Sequence, residues 1–249
     1  MLVATLSIAQ NTSTVSSTGT GNGVTTDQEG SNTSTVTQDG TTNTADVDQI
    51  GSSKATADQT GLDNSTFQLQ NGAGNSSDQL QNGDRNTASS WQYGDGNTSN
   101  EIQVGNDNRS LIWQQGNDNA ADVNQDGNDN NSDGALGFLD QIGDRNTADV
   151  DQTGNDNQSG IQQGVFNGTP ASDNTASVSQ DGNSNISGVN QLSDWNTATI
   201  IQNGDSNISA VTQQGSTLNN AAVTQLGNGN NSSVLHNGSL NTAVINQNN

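Results

Sequence analysis

The side chains best placed to do chemistry in this chain are amides, and the chemistry they offer is hydrogen bonding, not bond making. Asn32 begins NTSTVTQDGTT, Asn43 begins NTADVDQIGSS and Asn196 begins NTATIIQNGDS. The unit is Asn-x-small-x-aliphatic-x-Gln-x-Gly-x-x, and twenty-one copies of it fill residues 11–249. Only Ser53 and Ala135 stand in for the leading Asn, only Ser17 and His236 for the Gln, and a Gly lies eight residues after the start in eighteen units. Each amide both donates and accepts, so identical amides stacked at constant spacing satisfy one another in a ladder. The expected ladder residues include Asn32 and Gln38, Asn43 and Gln49, Asn86 and Gln92, Asn146 and Gln152, Asn196 and Gln202, Asn207 and Gln213, and Asn241 and Gln247.

Other chemistries find little support. There is no cysteine, and one histidine without cysteine does not make a usual zinc site. Turns such as Gly105-Asn106-Asp107-Asn108 lack the Gly-Gly-x-Gly-x-Asp pattern of calcium rolls. Ser and Asp are scattered through the repeat, with no readable nucleophile, base and orienting group. No enzyme activity, cofactor or metal is therefore expected. Four Lys and Arg against 26 Asp and Glu give a net charge of −22, which argues against nucleic acid and anionic membrane as partners. No apolar run is long enough to span a bilayer.

The elements that must position these amides follow from the spacing. Composition alone, with 26% apolar residues, points to disorder; the regular placement of those few residues overrides it. Asn, a small residue, an aliphatic and Gln occupy alternate positions, as in Asn196, Ala198, Ile200 and Gln202. That alternation is a strand with one constant face. A turn follows, with Gly, Asn and Asp to supply positive φ. Strand, turn, strand and turn make a coil of about twenty-two residues. The expected fold is all-β: a two-stranded-per-coil β-solenoid with two facing parallel sheets in cross-β stacking. An up-and-down antiparallel meander is the alternative. Stacking at about 4.7–4.9 Å gives a rod on the order of 50 Å long.

Residues 1–10, which include the apolar MLVATLSIA, are expected to be a signal-peptide remnant or an N-terminal cap strand. Extra residues before Ala135 (130–134) and around Pro170 are expected to form loops. From Asn64 to Trp113 the aliphatic slot holds Gln68, Gln79, Ser90 and Glu101 before Ile112, while apolar residues move to the other face. If the register holds, Phe67, Trp91, Tyr93, Trp113 and Phe138 form an outer aromatic stripe suited to lateral contact. A local flip of faces would instead bury them and spare Glu101 from the core.

The paired unit Asn32-x5-Gln38-x4-Asn43-x5-Gln49 resembles the curlin repeat, Ser-x5-Gln-x4-Asn-x5-Gln, of the curli subunits of bacterial biofilm. The resemblance extends over residues 11–249. It departs in having Asn where that family has Ser, and in the length of the array. It implies a major-type subunit secreted through an outer-membrane pore, nucleated by a minor subunit, and polymerised with copies of itself into extracellular functional amyloid on the cell surface.

The repeat itself predicts end-to-end self-assembly. Asn241 to Asn249 keeps the strand pattern to the last residues, so the final coil is expected to be uncapped and able to template another. Like charge would hold monomers apart until then, with Lys54, Arg85 and Arg145 as candidate gatekeepers. A monomeric solenoid binding ice, sugar or another surface through residues such as Thr33, Thr35 and Thr37 is the rival reading.

Overall fold

The computed structural model describes residues 10–132, 139–164 and 170–249. All regular structure among them is β, from Thr12–Thr20 to Thr242–Asn248. The strands wind into a parallel β-solenoid of about 10 turns. Each strand pairs with the next but one in sequence, so the rungs form two interleaved series. In one series Thr98–Val104 is followed by Ala120–Asp126, Thr147–Thr153 and Thr175–Asp181. In the other Thr87–Tyr93 is followed by Arg109–Gln115, Leu139–Ile142 and Gln158–Gln163. Two long strands, Thr44–Leu62 and Ser65–Asn82, run through a corner and supply a rung to each series. These pairings are parallel and set like residue on like residue, Ala148 on Ala121 and Val150 on Val123 for example. The antiparallel meander is excluded.

Strand formation here depends on period, not on hydrophobic content. In Thr147–Thr153 the buried positions are Ala148, Val150 and Gln152, and the intervening Thr and Asp remain at least partly exposed. A one-residue slip would exchange the two faces. The interior is narrow: a small residue and one aliphatic per rung, as in Ala176 and Val178 or Ala198 and Ile200. One apolar cluster runs from Ile112 to Val234, and a smaller one gathers Val36, Ala45, Val47, Ala55 and Ala57. Between them the inner face is polar, with Gln68, Gln79, Ser90 and Glu101 all buried. The register therefore holds through this block, and the face flip does not occur.

The turns set how closely rungs approach. Gly105 has φ +113°, and a Cβ there would lie 1.9 Å from the Gly127 carbonyl oxygen. Gly40, Gly61, Gly83, Gly105 and Gly127 are stacked in this way, backbone on backbone, with no room for a side chain.

One unit begins elsewhere than the spacing suggests. Asn130, not Ala135, takes the leading place: its N–H donates to Asn108 Oδ1 at 3.0 Å, and its own Oδ1 accepts from the Asn157 N–H at 3.1 Å. Arg109 pairs with Asn131 and Ile112 with Leu139, so the extra residues fall between Asn131 and Leu139 and leave the preceding turn intact. An amide at the leading place continues the column, and alanine has none to offer. Ala135, Leu136 and Phe138 lie outside the described residues, as do residues 1–9. Pro170 is exposed and outside any strand.

Candidate assembly site: the amide ladders

Two glutamine ladders run along the solenoid. In one, Gln38, Gln59, Gln81, Gln103, Gln125, Gln152, Gln180, Gln202, Gln225 and Gln247 are joined Nε2 to Oε1 at 2.8–2.9 Å. In the other, Gln28, Gln49, Gln70, Gln92, Gln114, Gln141, Gln163, Gln191 and Gln213 are joined at 2.7–3.0 Å. The second Nε2 proton crosses to a backbone carbonyl of the other series: Gln92 to Ser76, Gln202 to Ile186, Gln213 to Thr197. Each glutamine therefore binds along the rod and across it. Its length is what lets one amide reach both acceptors.

Asparagine works differently. The expectation that each Asn amide donates to the next describes only part of the bonding. The main-chain N–H of Asn86 donates to Asn64 Oδ1 at 2.9 Å, and the same bond joins Asn43 to Asn22, Asn146 to Asn119, Asn196 to Asn174, Asn207 to Asn185 and Asn241 to Asn219. Nδ2 mainly caps turn carbonyls, Asn86 to Gly105 at 2.8 Å and Asn43 to Gly61 at 3.0 Å. The shorter side chain reaches the backbone and holds the corner closed. Asn32 accepts the N–H of Ser53, whose hydroxyl in turn donates to the Gly72 carbonyl. A hydroxyl thus takes over the donor role of the amide at that corner.

His236 faces Gln213 at the end of the second ladder. It is buried, and its Nδ1 has no hydrogen-bond partner. Glu101 fills an aliphatic slot above Gln79 and below Val123. Its carboxylate accepts from Gln79 Nε2 at 2.7 Å and from the Ser110 hydroxyl. Burial pushes it up to about 7, partly offset by those two bonds and one from the Ser89 backbone.

The aromatic residues lie on the outer face of one series, half-buried against one another. Ring centroids are 5.1 Å apart for Phe67 and Trp91, 6.0 Å for Trp91 and Trp113, and 5.2 Å for Tyr93 and Trp113. They stack along the rod. Arg85 and Arg145 stand at turns and each pairs through two 2.7 Å bonds with the aspartate one rung on, Asp107 and Asp173. Lys54 meets Asp78 at 3.5 Å. Such exposed pairs contribute little to stability; they break up runs of stacked carboxylates. Where no cation intervenes, as between Asp122 and Asp149 on adjacent rungs, burial and neighbouring carboxylates raise both groups.

Among the described residues no group of three or more His, Asp or Glu is placed to hold a metal, and no helix is long and apolar enough to cross a membrane. The parallel coil, the laddered amides and the eleven-residue rung define a repetitive β-solenoid of the structural kind. The family model of the curlin associated repeat matches residues 102–127 and 135–164. These two segments carry the curlin associated repeat. No curated protein matches it.

Proposed function

We propose that this chain is a structural subunit that assembles end to end with copies of itself into extracellular, curli-like amyloid fibres of a biofilm matrix. The observation that carries the reading is the pair of glutamine ladders. Because each rung presents the amides and backbone groups that the next rung presents, any open rung is a template for another. The two series then act as two facing parallel sheets in cross-β stacking. Bonds across the interior support this, with Gln68 Nε2 on the Ser77 hydroxyl at 3.1 Å and Ser90 on Ser99 at 2.7 Å. Head-to-tail contacts of this kind do not close, and they yield filaments. Secretion through an outer-membrane pore, a minor nucleating subunit and a cell-surface location belong to the same proposal and rest on the family. The aromatic row, to which the sequence adds Phe138, is one surface suited to lateral contact.

The test is to follow freshly desalted, denatured protein by thioflavin fluorescence, with electron microscopy at the plateau. A lag that preformed seeds abolish, followed by unbranched fibrils, is the expected outcome. A flat trace from a folded, β-rich monomer would refute the reading.

A further inference from the structure

From Asn75 onward, each leading Asn of one series is preceded by a corner residue in the left-handed region. On successive rungs these are Gly74, Gly96, Asp118, Arg145, Asp173, Trp195, Leu218 and Leu240. Glycine and aspartate suit that backbone; bulky side chains rarely adopt it. Yet Trp195 (φ 58°), Leu218 (φ 64°) and Leu240 (φ 58°) hold three consecutive corners. They flank Asn196, Asn219 and Asn241, which are bonded in series. Their exposures are 56%, 54% and 74%. Neither backbone preference nor burial accounts for three large apolar groups in such places. Serine hydroxyls beside them bind corner to corner, Ser193 to the Ser216 carbonyl and Ser239 to Ser216, so the three project from a fixed edge as one ridge about 10 Å long.

The charge pattern says what covers the ridge. Every Asp, Glu, Lys and Arg of a chain with net charge −22 lies at or before Asp205; residues 206–249 hold none. A cationic partner would be drawn to the acidic remainder. A second copy is repelled by that remainder and meets no such repulsion along this stretch, which carries Leu218 and Leu240, while Trp195, beside Asp194, lies just before it. The same stretch exposes Ile208, Leu226, Leu235 and Val244. Templating along the rod would need only its terminal rung free of charge, and the corner side chains belong to no ladder. We infer that the corner formed by Trp195, Leu218 and Leu240 is a lateral contact through which two copies of this chain pair side by side.

Aspartate serves comparable corners elsewhere and asparagine tolerates the same left-handed backbone, so the variant Trp195→Asn, Leu218→Asn, Leu240→Asn should keep the fold and the end-to-end growth. Wild-type and variant fibres are compared by mass per length in scanning transmission electron microscopy. One 25.6 kDa chain per rod of about 50 Å gives about 5 kDa per nm for a single filament. The wild type is expected at twice that value and the variant at the single value, with seeding unchanged. Single-filament mass for the wild type, or a doubled mass retained by the variant, would overturn the inference; the latter would assign pairing to the aromatic row. If neither chain forms fibres, it is end-to-end growth that fails. Sedimentation equilibrium of the folded chain at high concentration then decides the corner: dimers for wild type alone uphold it, and monomers for both overturn it.

Discussion

Replacing Glu101 by Gln should remove a pH dependence that the rest of the interior lacks. Glu101 is fully buried in a slot where other rungs carry Val or Ile. The inner-face residues around it, Gln79, Ser90, Ser110, Ile112 and Val123, carry no charge, and Asp78 and Asp122 lie on the outer face of the rungs on either side. The carboxyl is therefore raised by loss of water, from 4.5 to about 7. One pH unit of displacement corresponds to about 1.4 kcal/mol, so the whole displacement is worth about 3 kcal/mol. The direction follows from proton linkage: the folded state holds this proton more tightly than the unfolded chain does. Stability from this group is complete below pH 4.5, declines as pH rises, and is lost above about 7.

Glu101→Gln keeps an acceptor for Gln79 and a partner for the Ser110 hydroxyl, which can accept as readily as donate. It carries no charge at any pH. The variant should match wild type near pH 4 and exceed it by about 3 kcal/mol at pH 8. Guanidinium midpoints for both chains, taken at half-unit steps between pH 4 and 8 in the same assembly state, give the comparison. Asp140, raised to about 6 by burial, titrates in both chains and cancels in the difference. Parallel pH profiles for the two chains would refute the assignment of the buried charge to Glu101.

Other perturbations address other parts of the rod. His236→Gln should extend the second ladder from Gln213 by one bond and add about 1 kcal/mol, read as a higher guanidinium midpoint. Gly105→Ala should destabilise by about 3 kcal/mol or more, since it adds a Cβ 1.9 Å from the Gly127 oxygen at a positive φ; an unchanged midpoint would show that the corners do not stack as closely as described. Raising NaCl from about 10 to about 150 mM at constant pH shortens the screening length from about 30 to about 8 Å, so fibril growth should quicken; slower growth would remove like-charge repulsion as the brake. Trp195→Asn should lower the fraction of tryptophan fluorescence quenched by acrylamide, because Trp91 and Trp113 are half-buried in the aromatic row.

The path of the chain was legible in the sequence because one set of offsets recurs with small error. Offsets that alternate as Asn196, Ala198, Ile200 and Gln202 do leave one inward face, and all four are buried. Departures were harder to read. Eleven-residue counting backward from Gln141 leads to Ala135, whereas the structure opens that rung with Asn130 and the excess falls between Asn131 and Leu139. Counting assumes that insertions fall in turns; the corner here is held by Asn130 Nδ2 on the Gly154 carbonyl at 2.7 Å, and a strand lacks any such clasp. The difference between the amides was likewise invisible to periodicity. Asn and Gln read as equivalent ladder residues, but one methylene decides whether an amide reaches the next amide or the backbone. The Trp195, Leu218 and Leu240 corner has its own sequence signal: a large apolar residue directly before a leading Asn, where other units place Gly, Asp, Ser, Thr, Arg or Gln.

The polar interior explains why so few apolar residues suffice. Most buried side chains between the two apolar clusters are amides and hydroxyls, and an unpaired buried amide is costly. Within the two ladders a Gln inside the column depends on the rungs above and below, so a register slip by one residue would strand a column of donors and acceptors at once. Hydrophobic burial here supplies compactness, while the amides supply register. Under the proposed end-to-end assembly, that division makes the rod demanding about what joins it: another chain adds only if it brings Asn and Gln at the same eleven-residue spacing. A copy of the same chain meets that condition at nearly every rung, which is the physical basis for expecting seeds of this protein to recruit itself in preference to unrelated β-rich proteins.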